Sequence, residues 1–149
     1  QTAFLLQVRD KFNEVQHGLK TIKEIRNQLN SVTGKLGDTC PKEMKDTAAY
    51  IEKALQAVEQ ELYQTKARAF QDVLNYPVKL NDKLSGLYDA AAAGVVAPSR
   101  QCREVYAELS GRADIYLGRI KQITENELKA FNQMALDHKI PVILLPQTE

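Results

Sequence analysis

Glu14 and His17 form a Glu-x-x-His pair, the spacing with which ferritin-like helical bundles hold two iron ions. Such a centre needs a second pair and further glutamates that face inward. The other histidine, His138, has Ala135 three residues before it, so the second pair is missing. Val15 belongs to the apolar stripe of its helix, which places Glu14 and His17 beside that stripe or away from it. The sequence therefore predicts no metal centre and no cofactor.

A nucleophilic serine or cysteine would need one of the same two histidines as its base. We interpret His138 as the last-turn residue of a long helix, where a cation meets the negative end of the helix dipole. His17 is interpreted as part of a solvated face, and Cys102 has no nearby signature of a catalytic thiol. The segment Gly34-Lys35-Leu36-Gly37 has too few glycines for a phosphate-binding loop. No catalytic residue is predicted.

The composition is that of an ordinary globular domain. The chain has 149 residues, of which 44% are hydrophobic and 26% charged, and its net charge is +1. This balance gives no electrostatic reason to bind nucleic acid or an anionic membrane. No apolar run reaches the roughly 18 residues that a membrane span needs. The chain opens at Gln1 and enters a helical pattern at once, so we expect one domain, residues 1–149, cut from a longer polypeptide.

Apolar residues recur every three or four positions in four stretches, which predicts four helices. The expected ranges are Thr2 to Val32 or Leu36, Pro41 to between Leu62 and Ala69, about Pro77 to Ala93, and Pro98 to His138. The last helix would be roughly 60 Å long. Its stripe contains one step of five, between Ile123 and Leu128. A helix of that length needs other helices packed along it.

Short loops at Gly34–Pro41 and Gly94–Pro98 favour antiparallel neighbours. The fold prediction is therefore an all-α, up-down-up-down four-helix bundle with long first and last helices, a short third helix and an extended apolar C-terminal tail. In that order Cys40 and Cys102 share one end of the bundle. A disulfide between them would close a loop of about 60 residues and stabilise by about 3–4 kcal/mol. The alternative is two small buried thiols.

Two apolar segments lie outside the helices and predict a docking surface, because exposed apolar patches usually mark interfaces. Pro141 and Pro146 bracket the second segment, which makes it extended rather than helical. We expect either the bundle or a partner to cover these segments. The residues concerned are Phe70, Leu74 and Tyr76 in the first segment, and Ile140, Val142, Ile143, Leu144 and Leu145 in the tail.

Gly111 and Gly118 lie seven residues apart on one face of the last helix. Each costs about 1 kcal/mol relative to alanine in a helix interior. Close approach of a neighbouring backbone or ring is the simpler explanation. The alternative is a groove for a ligand or substrate beside these glycines.

Several segments resemble the C-terminal helical domain of one family of exported bacterial proteins. They are Phe4–Lys11, Ile25-Arg26, Leu74–Leu84, Ala97-Pro98, Ala130-Phe131-Asn132 and Ile140-Pro141. The family has β-propellers of the sortilin-like or BNR-repeat, glycosidase-like kind. The resemblance covers nearly the whole chain, but its motifs are packing and turn residues. It implies export, periplasmic or extracellular, and an oxidising compartment that would favour the Cys40–Cys102 bond. No Asp-box repeat occurs in this chain, so no catalytic residue is carried over.

The residue patterns predict a non-catalytic accessory module, and the resemblance implies that it belongs to a larger exported, glycosyl hydrolase-like protein. Its expected partner is a neighbouring domain of the same polypeptide, such as a β-propeller, or another protein. Docking would occur by burial of the apolar segments. The alternative is a ligand-binding or catalytic bundle that uses the groove beside Gly111 and Gly118.

Overall fold

The computed structural model describes residues 2–63, 79–94, 99–140 and 143, and the secondary structure of these residues is helical throughout. A 3₁₀ turn, Gly37–Thr39, joins the first two helices. Within the described residues, no helix combines the length and the apolarity needed to cross a membrane. The helices are α1 (Thr2–Leu36), α2 (Lys42–Leu62), α3 (Leu80–Ala93), α4 (Arg100–Glu125) and α5 (Glu127–Asp137).

The predicted all-α four-helix bundle is confirmed, with a long first helix, a short third helix and a long last helix that is divided into α4 and α5. Every stripe residue predicted for the second and third helices is buried. In α1, Phe4 is buried, and its ring packs edge-on against that of Tyr106. The buried stripes of α2 and α3 are Met44, Ala48, Ile51, Leu55, Val58 and Leu62, and Leu80, Leu84, Leu87 and Ala91.

Asn126 interrupts the predicted last helix. Its φ of −111° and ψ of −78° depart from helical values and separate α4 from α5. In an unbroken helix, five residues turn through about 500°, which would carry Leu128 roughly 140° away from Ile123. Both side chains are nevertheless buried. The break thus lies at the one irregular step of the stripe and returns the chain to its buried face.

The chain divides into two compact units. Unit 1 consists of Gln1–Leu19 and Glu59–Leu117, and unit 2 consists of Lys20–Val58 and Gly118–Glu149. Unit 1 holds the start of α1, the end of α2, all of α3 and most of α4. Unit 2 holds the rest of α1, most of α2, the end of α4, all of α5 and the tail.

In unit 1, α1 and α4 run in the same direction. Phe4 packs on Tyr106, and further along both helices Lys11 bonds Asp114 at 2.6 Å. The residue numbers of the contacting residues therefore increase in the same direction on α1 and α4. The predicted up-down-up-down order would make these helices antiparallel, and this detail of the fold prediction was wrong. The error came from the connection between α2 and α3, residues 63–79, which is too long to impose the antiparallel direction that short loops impose.

Candidate functional site

The site in unit 2 is built on Asn132, a polar residue of α5 directly after the buried Phe131. Its side-chain amide forms two hydrogen bonds with the backbone of Ile143. The Nδ2 group donates to the Ile143 carbonyl at 3.0 Å, and the Ile143 N–H donates to Oδ1 at 2.7 Å. Both backbone groups of one residue face the same side only where the chain is extended, as in a hydrogen-bonded strand pair. Asn132 therefore binds the tail as a neighbouring strand would.

A cap at the end of α5 directs the tail towards Asn132. The N–H of Ile140 donates to the Ala135 carbonyl at 2.7 Å, and the N–H of Lys139 donates to the Leu136 carbonyl at 3.0 Å. Lys139 adopts a positive φ of 59°. These two bonds and this conformation form a Schellman cap, which normally has glycine at the position of Lys139. The cap ends the helix at this point.

An open groove of about 740 Å³ lies beside the tail, next to the break between α4 and α5. Two apolar side chains, Leu128 and Ile143, are almost fully buried there, with 2% and 4% of their surface exposed. The other lining residues are polar or charged. They are Thr124, Glu125, Asn126, Lys129 and Asn132.

The groove is lined by one acidic and one basic side chain. Glu125 lies 3.9 Å from Lys121 on the preceding turn, and Lys129 is exposed. The Thr124 hydroxyl donates to the Lys121 carbonyl at 2.8 Å. The groove is lined by one carboxylate, one ammonium group, one hydroxyl and two amides, so its formal charges cancel. It offers no paired acid and base for proton transfer.

Unit 1 contains a separate cluster of rings and charges. The Phe4 and Tyr106 ring centroids are 5.8 Å apart at an angle of 72°, and the Arg103 guanidinium lies 5.3 Å from the Phe4 centroid. The Tyr106 hydroxyl donates to the Gln7 carbonyl at 3.3 Å. Phe4 itself is buried. We interpret this cluster as the packing that aligns α1 with α4.

Lys11, in the described part of unit 1, has a pKa that clearly departs from its ordinary value. Burial of the ammonium group lowers the pKa, but hydrogen bonds and charge interactions with Asp114 and Glu14 outweigh burial and raise it above 10.5. The Nζ lies 2.6 Å from Asp114 and 2.8 Å from Glu14. Glu14 is therefore an ion-pair partner of Lys11, beside an exposed His17.

The structure does not contain a Cys40–Cys102 disulfide, which was one of the two alternatives for these residues. Both cysteines are free thiols, Cys40 buried and Cys102 half-buried. The disulfide required the start of α4 to lie beside the end of α1. In unit 1 the start of α4 packs instead beside the start of α1, since Arg103 and Tyr106 contact Phe4. Cys40 belongs to unit 2 and Cys102 to unit 1.

The predicted docking residues have different outcomes. Ile143 is buried against its own chain, and Ile140 is half-buried. The bundle itself therefore covers this part of the tail, which was one of the two expected possibilities. The remaining predicted residues, Phe70, Leu74, Tyr76, Val142, Leu144 and Leu145, lie outside the described part of the chain.

The two glycines of α4 are not explained by a close neighbour. A Cβ built at Gly111 or Gly118 would meet no described atom within 4 Å. The described groove lies elsewhere, beside Asn132, and a ligand groove at the glycines stays a prediction. Among the described residues, no three histidine, cysteine, aspartate or glutamate side chains are grouped as metal ligands would be.

The sequence does not single out Asn132 as a binding residue. One signal could have indicated it: asparagine is a poor helix former, and in α5 it stands next to the stripe residue Phe131. No protein-family model, curated protein or solved structure matches this chain.

Proposed function

We propose that this chain is a non-catalytic helical interaction module of a larger exported protein, which docks to a neighbouring domain or partner through apolar surface. The observation that carries the proposal is the pair of hydrogen bonds between Asn132 and Ile143. They hold the apolar residue Ile143 to a helix through its backbone. Recognition of backbone groups in an extended segment is a common way for domains to bind peptides.

The parent protein in this proposal carries a sortilin-like or BNR-repeat β-propeller, as the resemblance of the packing and turn segments suggests. Any sugar chemistry would then belong to the propeller. The helical module would position or stabilise that domain. Export to the periplasm or the extracellular space is part of the same proposal.

Two exposed aliphatic side chains provide positions at which docking can be tested. Ile115 on α4 is 57% exposed, and Leu136 on α5 is 58% exposed. Single exposed aliphatic residues are common on protein surfaces, so neither marks an interface by itself. A charge placed at either position would oppose burial against a partner without disturbing the core.

The test is to insert a protease site before Gln1 in the parent polypeptide, cleave it, and measure association of the two pieces by sedimentation velocity. We expect the two pieces to sediment together. Ile115→Asp or Leu136→Asp should weaken the complex at least about tenfold where the substituted side chain is buried against the partner. The matched controls are Ala107→Asp and Ala130→Asp, which add the same charge at exposed positions of the same two helices. Pieces that separate at every concentration would contradict the proposal.

A further inference from the structure

We infer that the Asn132 site binds, in trans, an extended and uncharged apolar peptide segment of a partner, which takes the place of Ile143. The chain's own tail is then the occupant that competes for the site in cis. This inference rests on the proposed function, because it names the chemistry of the partner and the residue that recognises it.

Recognition at this site is directed at the peptide backbone. Asn132 uses one N–H of its side-chain amide and its amide oxygen on the C=O and N–H of a single residue, at 3.0 and 2.7 Å. Neither bond involves the side chain of Ile143. Any residue other than proline in an extended segment could present the same two groups. The site therefore recognises the extended backbone of the bound segment rather than one particular sequence.

The surroundings restrict the side chain to an apolar one. Ile143 is almost fully buried, and so is Leu128 beside it in the groove. A charged side chain there would lose its hydration without a partner. Glu125 and Lys129 at the rim carry opposite charges, so they favour neither an acidic nor a basic segment.

The tail is a strong competitor because it is tethered. Ile143 follows Asn132 by eleven residues, and a short tether gives an effective concentration in the millimolar range. A partner segment must therefore bind while only a fraction of the sites is open, which weakens its apparent affinity by that fraction. Detaching the tail should reveal the intrinsic affinity.

The test uses the full chain and a fluorescein-labelled synthetic peptide with the sequence of residues 139–147, KIPVILLPQ. Fluorescence anisotropy is measured on the wild type, on Ile143→Pro, and on Ile143→Pro combined with Asn132→Ala. Proline at residue 143 removes the N–H that Asn132 accepts, so the tail leaves and the site stays intact. Ile143→Asp is a second way to detach the tail, because it keeps the N–H but cannot be buried. Circular dichroism checks that each variant keeps its helix content.

We expect the peptide to bind Ile143→Pro and Ile143→Asp at least about tenfold more tightly than the wild type, since the cis competitor is gone. Asn132→Ala should abolish the gain, whereas Gln133→Ala on the same helix should not. A peptide that itself carries Ile143→Pro should not bind. Equal binding to the wild type and to both tail variants, or a gain that survives Asn132→Ala, would overturn the inference. In that event association of the cleaved parent pieces would show that the module still docks, through another surface.

Discussion

At the residue scale, the central contact is made by the side-chain amide of Asn132, a residue that the sequence does not single out. Asn132 replaces the neighbouring strand that an extended segment normally needs. The sequence predicts the extended tail, because Pro141 and Pro146 exclude a helix, but it does not indicate where the tail's backbone groups find their partners. That contact depends on the direction in which the Schellman cap sends the chain, and Lys139 carries no glycine signal for such a cap.

We predict that Asn132→Ala lowers the free energy of unfolding by about 1–3 kcal/mol, because both backbone groups of the buried Ile143 lose their partner. Urea unfolding followed by circular dichroism measures the change. Gln133→Ala is the control. Gln133 is exposed and bonds only Asp137 among the described contacts, so a change within about 0.5 kcal/mol is expected. Equal effects of the two substitutions would mean that the Asn132 bonds contribute nothing to stability.

Lys11 gives unit 1 a stability contribution that depends on pH. Its pKa is raised in the folded chain, so the contribution is complete below the unfolded value of 10.5 and is lost as the pH rises through the higher folded value. We expect at most about 1 kcal/mol, because Glu14 and Asp114 are more than half exposed. The measurement is the free energy of unfolding from pH 8 to 12 for the wild type and Lys11→Met. Curves that stay parallel above pH 10.5 would contradict this contribution.

At the scale of elements, the sequence predicts the helices well because their apolar stripes are regular. The stripes of α2 and α3 are buried as predicted. The step of five between Ile123 and Leu128 indicates an irregularity, and the structure shows the helix break at Asn126 within it. A stripe alone does not distinguish a break from a gradual change in winding, so the position of the break could not be predicted to the residue.

The cap of α5 stores strain that a substitution can remove. Lys139 has a φ of 59°, a conformation that costs a residue with a Cβ about 1–2 kcal/mol relative to glycine. We predict that Lys139→Gly stabilises the chain by roughly 1 kcal/mol, partly offset by the greater entropy of glycine in the unfolded chain. Thermal unfolding measures the shift. Gly37→Ala should shift the midpoint the other way, because Gly37 has a φ of 51°. Destabilisation by Lys139→Gly would show that the side chain of Lys139 stabilises the fold by more than its positive φ costs.

At the scale of the whole molecule, fold class follows from the sequence and helix direction does not. Four amphipathic stretches suffice to predict an all-α bundle. The direction of α4 relative to α1 depends on how residues 63–79 connect α2 to α3, and periodicity carries no information about that path. The parallel contacts of Phe4 with Tyr106 and of Lys11 with Asp114 in unit 1 correct the order. The same assumed order placed Cys40 and Cys102 at one end of the bundle, and the structure has both as free thiols.

The two cysteines are free in the structure, and their reactivity can be predicted from their burial. Alkylation of the unfolded chain without reductant should label both Cys40 and Cys102, since neither is bonded. In the native chain Cys102 should react first, because it is half-buried while Cys40 is 5% exposed. Mass spectrometry of the alkylated peptides measures both. Labelling that appears only after reduction would contradict the free thiols and support the alternative of a disulfide.

Amide hydrogen exchange at Ile143, followed by NMR, tests most directly the claim that the helical body holds an extended segment through its backbone. In the wild type we expect this amide to be protected, because its N–H donates to Asn132 and the residue is buried. In Asn132→Ala it should exchange at nearly the rate of an unfolded peptide, while the buried core of α2, such as Ile51, keeps its protection. Rapid exchange at Ile143 in the wild type would contradict the claim and, with it, the basis of the proposed docking site.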